Sequence, residues 1–385
     1  MQRRALILNT TPIQRLANWC EQHFSLTVFL GSLLVYGLRG NQFNRLVFGD
    51  DATLVSHALD RQQPWGVLGK FDRLGLFDPF NDYLAVLLRV FTHLGLLGPD
   101  ESFTTTVFFL MTLFWATVTL AISQIVMRSS GSSSGFFVAG VLALLPFSNQ
   151  VFLAQTNTVA WPLALLCIVI VSLRAYPPRT THRIGMLVLF SLTTMSTGTM
   201  VVVIPILVLS FVYQIKRIRG FEGCLLVVTV LSFWLQWYTY EPRPNVSQPL
   251  GGELYRMLFS WAPQFVRSQV NTSLSFLETV TLWTVPIALL IAWFILFMNA
   301  LAVDKPHSFA ALKMLVVSLG LAPMLIIGNG WFNTHYMYIP MALFWVSVSL
   351  MLKPGVLNQV ARVRSAVVAL VVCYATTVSG VFFVL

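Results

Sequence analysis

The chain has 385 residues, of which 56% are hydrophobic and 10% charged, and its mean hydropathy is +0.75. That composition excludes an ordinary water-soluble domain, because apolar runs recur over nearly the whole length with the charges between them. The net charge of +10 would suggest nucleic acid in a soluble protein; here it reads as Lys and Arg collected in cytoplasmic loops, and no nucleic-acid partner is expected.

Runs such as 103–127 and 280–303 are long and continuous instead of alternating with period two, which points to an all-α polytopic membrane protein and away from a β-barrel. Residues 1–21 are polar and basic and no convincing cleavage site follows the first apolar run, so that run is expected to remain as the first membrane helix. About eleven spans are expected, at 24–38, 103–127, 136–147, 157–173, 184–195, 199–214, 223–239, 281–303, 309–327, 335–352 and 365–385. The stretch 184–214 can also be drawn as one helix broken around Ser196-Thr197-Gly198.

With a cytoplasmic N-terminus, the inner segments hold Arg3, Arg4, Arg15, Arg128, Arg174, Arg179, Arg183, Lys216, Arg217, Arg219, Lys305, Lys313, Lys353, Arg362 and Arg364, against only Glu21, Glu222 and Asp304. This partition satisfies the positive-inside rule provided that 80–97 does not cross the membrane. Residues 39–102 then form one external segment with two short amphipathic helices, at about 50–62 and 80–97, and 240–280 forms a second.

The first of these helices opens at Gly49-Asp50-Asp51. Asp50, His57, Asp60 and Arg61 share one face with Thr53, while Leu54, Val55, Ala58 and Leu59 lie opposite. An aspartate at the start of a helix caps it and suits its dipole, which accounts for one of the two carboxylates. In the second helix, begun by Asp78-Pro79, Asp82, Arg89 and His93 follow i, i+7 and i+11, with Leu84, Leu87, Leu88, Phe91 and Leu94 opposite. A charged stripe of this kind lets a helix lie in the interface.

Farther along, Asn149, Gln150, Gln155 and Asn157 put amides at the external end of two spans, where they suit sugar hydroxyls or broken-helix backbone. The cluster from Ser191 to Thr199 reads as packing glue between helices. A late external turn carries Asn333, His335 and Tyr336. Cys20, Cys167, Cys224 and Cys373 have no paired spacing, so neither disulfides nor a cysteine metal site is expected. Adjacent carboxylates suit Mg²⁺ or Mn²⁺, but without an Asp-x-Asp or His-Glu-x-x-His pattern no obligatory metal is expected.

One N-terminal membrane helix, Asp50-Asp51 early in the first external loop, Trp65-Gly66 after it, two juxtamembrane helices and then a series of spans together resemble the GT-C superfamily of integral-membrane glycosyltransferases, and within it the bacterial and phage O-antigen glucosyltransferases. The resemblance implies a polyprenyl-phosphate-linked sugar donor, a glycan acceptor, membrane lipids as surroundings and an active site on the periplasmic face of a bacterial inner membrane. It puts Asp50 or Asp51 in the place of the family's general base. Arg61, Arg89, His57 or His93 are then candidates for the donor phosphate, with Asp60 and Asp82 beside them. Relatives carry an Arg-Tyr pair where this chain has His335-Tyr336, a departure that puts the phosphate contact there in doubt.

Two other readings stand beside this one. A transporter or flippase of a lipid-linked glycan or small solute would put ionisable residues near the bilayer midplane, whereas the span cores here are almost free of them. An O-antigen polymerase would be expected to carry arginine-rich external loops, and 240–280 has only Arg243, Arg256 and Arg267.

Overall fold

The computed structural model describes residues 12–40, 86–97, 103–145, 158–213, 220–238, 275–329 and 338–352, with the backbone alone at 211–213, 237, 275–288 and 322–329. Every regular element among them is helical: α1 Pro12–Gln22, α2 Phe24–Gly40, α3 Val86–Leu96, α4 Phe103–Ser130, α5 Ser132–Leu144, α6 Ala160–Leu173, α7 Thr180–Ser196, a 3₁₀ turn Gly198–Val202, α8 Val203–Tyr213, α9 Gly220–Tyr238, α10 Ser275–Val303, α11 Lys305–Asn329 and α12 Tyr338–Met351. The chain is therefore all-α over this set. Ten of the eleven expected spans coincide with helices to within a few residues; 365–385 lies outside the described residues.

Side-chain contacts give the helix directions. On α2 and α4, Ser25 meets Gln124, Tyr36 meets Thr119 and Gly37 faces Thr112, so the two run antiparallel. On α11 and α12, Ser318 meets Pro340 and Ala311 meets Ser347, again antiparallel. On α4 and α12, by contrast, Trp115 meets Tyr338 and Ser130 meets Leu350, which makes them parallel. Each direction agrees with alternation along the chain between two ends. We name the end holding Ser130, Arg174, Glu222, Asp304 and Leu352 the inner end, after the sidedness expected from its basic residues.

The same geometry decides between the two ways of drawing 184–214. Arg183 stands over the Phe221 ring, Ser191 bonds Ser232 and Met195 packs in one cluster with Leu235, so α7 and α9 are parallel. Had α7 and α8 continued in one direction, Tyr213 would stand about 45 Å beyond Arg183. The seven steps from Tyr213 to Gly220 span at most about 25 Å. The chain must reverse, and it does so at Thr197, an extended residue whose Oγ1 accepts from Thr199 N at 3.3 Å.

Local chemistry explains the other breaks. Gly131, at φ 100° and ψ 168°, turns α4 into α5 in a region open only to glycine. Asp304 Oδ1 accepts from His307 N at 3.3 Å and so caps α11. In the centre, α12 is buried along its whole length and α6 from Pro162 to Ser172. Helices apolar on every side belong in such a position. By length and composition alone, α4 is the one described helix able to cross a membrane, with eight shorter apolar helices around it.

Candidate functional site

The outer end is organised by residues on three helices. Tyr36 and Arg39, three apart, share the face of α2 that packs on α4 and α5. Arg39, only 2% exposed, donates Nη1 to Ala143 O at 2.5 Å and Nη2 to Leu145 O at 2.9 Å. These carbonyls end α5, where the last turn has no intrahelical donors and the helix dipole is negative. A buried guanidinium is thereby accommodated by carbonyl oxygens.

Tyr36 donates its hydroxyl proton to Leu142 O at 3.1 Å, which leaves Thr119 Oγ1, 2.9 Å away, to donate to the phenol oxygen. The Trp115 ring stands between Tyr36, with centroids 5.8 Å apart, and Tyr338, edge-on at 5.2 Å. All three rings are buried. Tyr338 opens α12, so this cluster joins the end of α2, the end of α5 and the start of α12.

Those are the ends from which the candidate-bearing segments leave. Residues 41–85, 146–157 and 330–337 follow Gly40, follow Leu145 and precede Tyr338. Asp50, Asp51, His57, Asp60, Arg61 and Asp82, the amides from Asn149 to Asn157, and His335 and Tyr336 are all on these segments, and all lie outside the described residues.

Arg89 and His93 are described. The helix expected at 80–97 is present as α3 over 86–96; its expected start lies outside the described residues. Leu87 and Leu88 are buried on the apolar side as expected, but two positions differ. Arg89, expected on a polar stripe, is 3% exposed, while Leu94, expected on the apolar side, is 40% exposed. The reason is that α3 is seated against α4 and α7. A Cβ on Gly95 would come within 2.6 Å of Val107 and 2.7 Å of the Phe103 ring, Phe91 meets Phe114 edge-on, and Leu87 N donates to Ser196 Oγ at 3.0 Å. That last bond caps the start of α3 with a hydroxyl from another helix. His93, one turn from Arg89, is half-buried.

The two buried arginines thus sit on helices that use adjacent positions of α4, Phe114 for α3 and Trp115 for α2. Tyr36 and Arg39 were absent from the sequence expectations, which ended the first span at 38; Tyr-x-x-Arg at the close of an apolar run is the signal that marks them. Among the described residues no three His, Cys, Asp or Glu side chains group as a metal site, and Cys20, Cys167 and Cys224 are free thiols. Compared with models of protein families, with curated proteins and with solved structures, the chain matches none.

Proposed function

We propose that this protein is a polytopic membrane glycosyltransferase of GT-C type, moving a sugar from a polyprenyl-phosphate donor to a glycan acceptor at the outer end of the helix bundle. The observation that carries the reading is that the helix ends at Arg39, Leu145 and Tyr338, next to which the segments bearing Asp50-Asp51, the Asn149–Asn157 amides and His335-Tyr336 begin or end in the chain, meet in one Arg39–Tyr36–Trp115–Tyr338 cluster, with buried Arg89 on a helix packed against α4.

The membrane part of the proposal rests on what the bundle turns outward. Leu26, Leu30, Leu34 and Leu38 form an exposed stripe along α2; Val227, Leu231 and Trp234 do so on α9, and Ile291, Phe294 and Met298 on α10. Water-soluble monomers rarely expose apolar area on this scale. Trp234 and Tyr238 stack in the open at the outer end of α9, and Trp19 is exposed before α2 at the inner end, as interfacial aromatics are.

In the reaction, Asp50 or Asp51 accepts the proton of an acceptor hydroxyl as its oxygen bonds to the anomeric carbon. The bond from that carbon to the carrier phosphate breaks, and the polyprenyl phosphate leaves with the electron pair. Cations near the departing phosphate lower the barrier, and Arg89 and His93 are the phosphate candidates on described residues.

The test is glycan mass on cells expressing wild type, Asp50→Asn or Asp51→Asn at equal membrane levels. One of the two variants should lose roughly 10²- to 10⁴-fold in transfer, the usual contribution of a general base. Unchanged glycan in both would remove the enzyme reading. A flippase is the second reading, favoured by the burial of Arg89 in a bundle of apolar helices.

A further inference from the structure

The first described helix is amphipathic, yet neither of its faces is buried against the protein. Along α1, Ile13, Leu16, Ala17, Trp19 and Cys20 make one side, and Gln14, Arg15, Asn18, Glu21 and Gln22 make the other. No residue of α1 is buried. On the polar side Glu21 accepts from the Ser132 hydroxyl at the start of α5, and on the apolar side Cys20 alone is partly covered. The rest of the apolar side is open, with Ile13, Leu16 and Trp19 exposed by 79%, 63% and 47%.

The helix also has a defined neighbour in sequence. A single residue, His23, separates α1 from α2; its N bonds Trp19 O at 2.9 Å and its O accepts from Thr27 N at 3.0 Å. Helix α1 is therefore held beside the inner end of α2, whose stripe Leu26-Leu30-Leu34-Leu38 is likewise exposed. In water such an arrangement would cost the burial that an amphipathic helix exists to gain.

From this uncovered apolar side we infer that α1 is a lipid-binding element: its Ile13–Leu16–Trp19 face is immersed at the headgroup–acyl boundary of the inner leaflet, beside the exposed stripe of α2, while Glu21 tethers its polar face to α5. The inference rests on the membrane reading above. Trp19 sits where an indole is best accommodated, half apolar and half wet. The basic stretch that precedes α1, with Arg3 and Arg4, suits anionic lipid headgroups.

Nitroxide labels on single cysteines test it, in full-length protein whose four native cysteines are replaced by alanine, reconstituted in vesicles of phosphatidylglycerol and phosphatidylethanolamine. Ile13→Cys and Leu16→Cys probe the apolar side, Gln14→Cys and Asn18→Cys the polar side, and Leu30→Cys and Leu34→Cys the face of α2. Because all six positions are exposed, a label displaces no packing. Positions 13 and 16 should relax several-fold more with oxygen than with a water-soluble nickel chelate, and positions 14 and 18 should show the reverse. Nickel access at 13 and 16 with oxygen access at 30 and 34 would overturn the inference and leave the membrane reading standing. Protection of 13 and 16 from both reagents would mean that protein covers the face, which also overturns it. Nickel access at 30 and 34 would remove the membrane reading itself.

Discussion

The two ends of the bundle handle charge differently. At the inner end, Arg174 faces Glu222 at 3.8 Å, His307 Nδ1 meets Asp304 at 2.9 Å, and Glu21 meets Ser132; Arg174, Asp304 and His307 keep part of their surface in solvent. Pairs whose members are part-exposed are worth little in stability. At the outer end Arg39 and Arg89 are buried, and Arg39 gives both terminal nitrogens to backbone carbonyls. Removing His307 leaves solvent to compensate Asp304, whereas removing Arg39 strands its acceptors, and removing Arg174 leaves the buried Glu222 carboxylate without that cation.

The comparison is broken most directly at Arg39. In Arg39→Met the Ala143 and Leu145 carbonyls lose these donors, at about 1–3 kcal/mol each, so thermal unfolding in detergent should move far downward. Arg39→Lys should recover only part, since an ammonium lacks the two-pronged fork. A methionine variant as stable as wild type would show that the cluster does not hold the outer end.

Overpacking at two glycines separates stability from chemistry. Gly135→Ala puts a Cβ 2.7 Å from the Phe24 ring and 2.9 Å from Met127 Cβ at the inner end; Gly95→Ala does the same against Val107 and Phe103 at the outer end. Each should cost about 1–3 kcal/mol. Both should lower the melting temperature, but under the proposed function Gly95→Ala alone should reduce sugar transfer per folded molecule, because it displaces the helix carrying Arg89. Equal transfer in the two would disconnect α3 from the chemistry.

Smaller effects sharpen the contrast. Tyr36→Phe removes the hydroxyl that bridges Thr119 and Leu142 O, and a loss of about 1 kcal/mol is expected in the same melting experiment. Arg174 gives the last contrast. It ends α6 in the left-handed region at φ 53°, which costs a non-glycine residue roughly 1 kcal/mol. Arg174→Gly relieves that strain but removes the guanidinium beside the buried Glu222 carboxylate, so a net loss of about 1 kcal/mol or more is expected in the same melting experiment.

Most of the helices were legible because they are apolar runs, and an apolar run has no way to satisfy its backbone in lipid except internally. Helix α1 escaped notice for the opposite reason: eleven residues with five polar ones read as a basic tail until their positions around the helix are compared. The rotation of α3 was misjudged because a charged stripe reads as a wet face. Its seating is governed instead by Gly95, which admits α4 closely, and by the hydroxyl of Ser196, far away in the chain. The candidate residues from Asp50 to Asp82, with His335 and Tyr336, remain sequence expectations, since they lie outside the described residues.

By itself the sequence determined the helical class and the positions of most helices, because hydropathy acts locally, residue by residue, along the chain. Only the tertiary structure decided that the chain turns back at Thr197, that Arg39 closes the end of α5, and that Tyr36, Trp115 and Tyr338 meet. Those facts depend on pairs of residues 79 to 223 positions apart, or on the parallel course of two helices, and no local property of the chain encodes them.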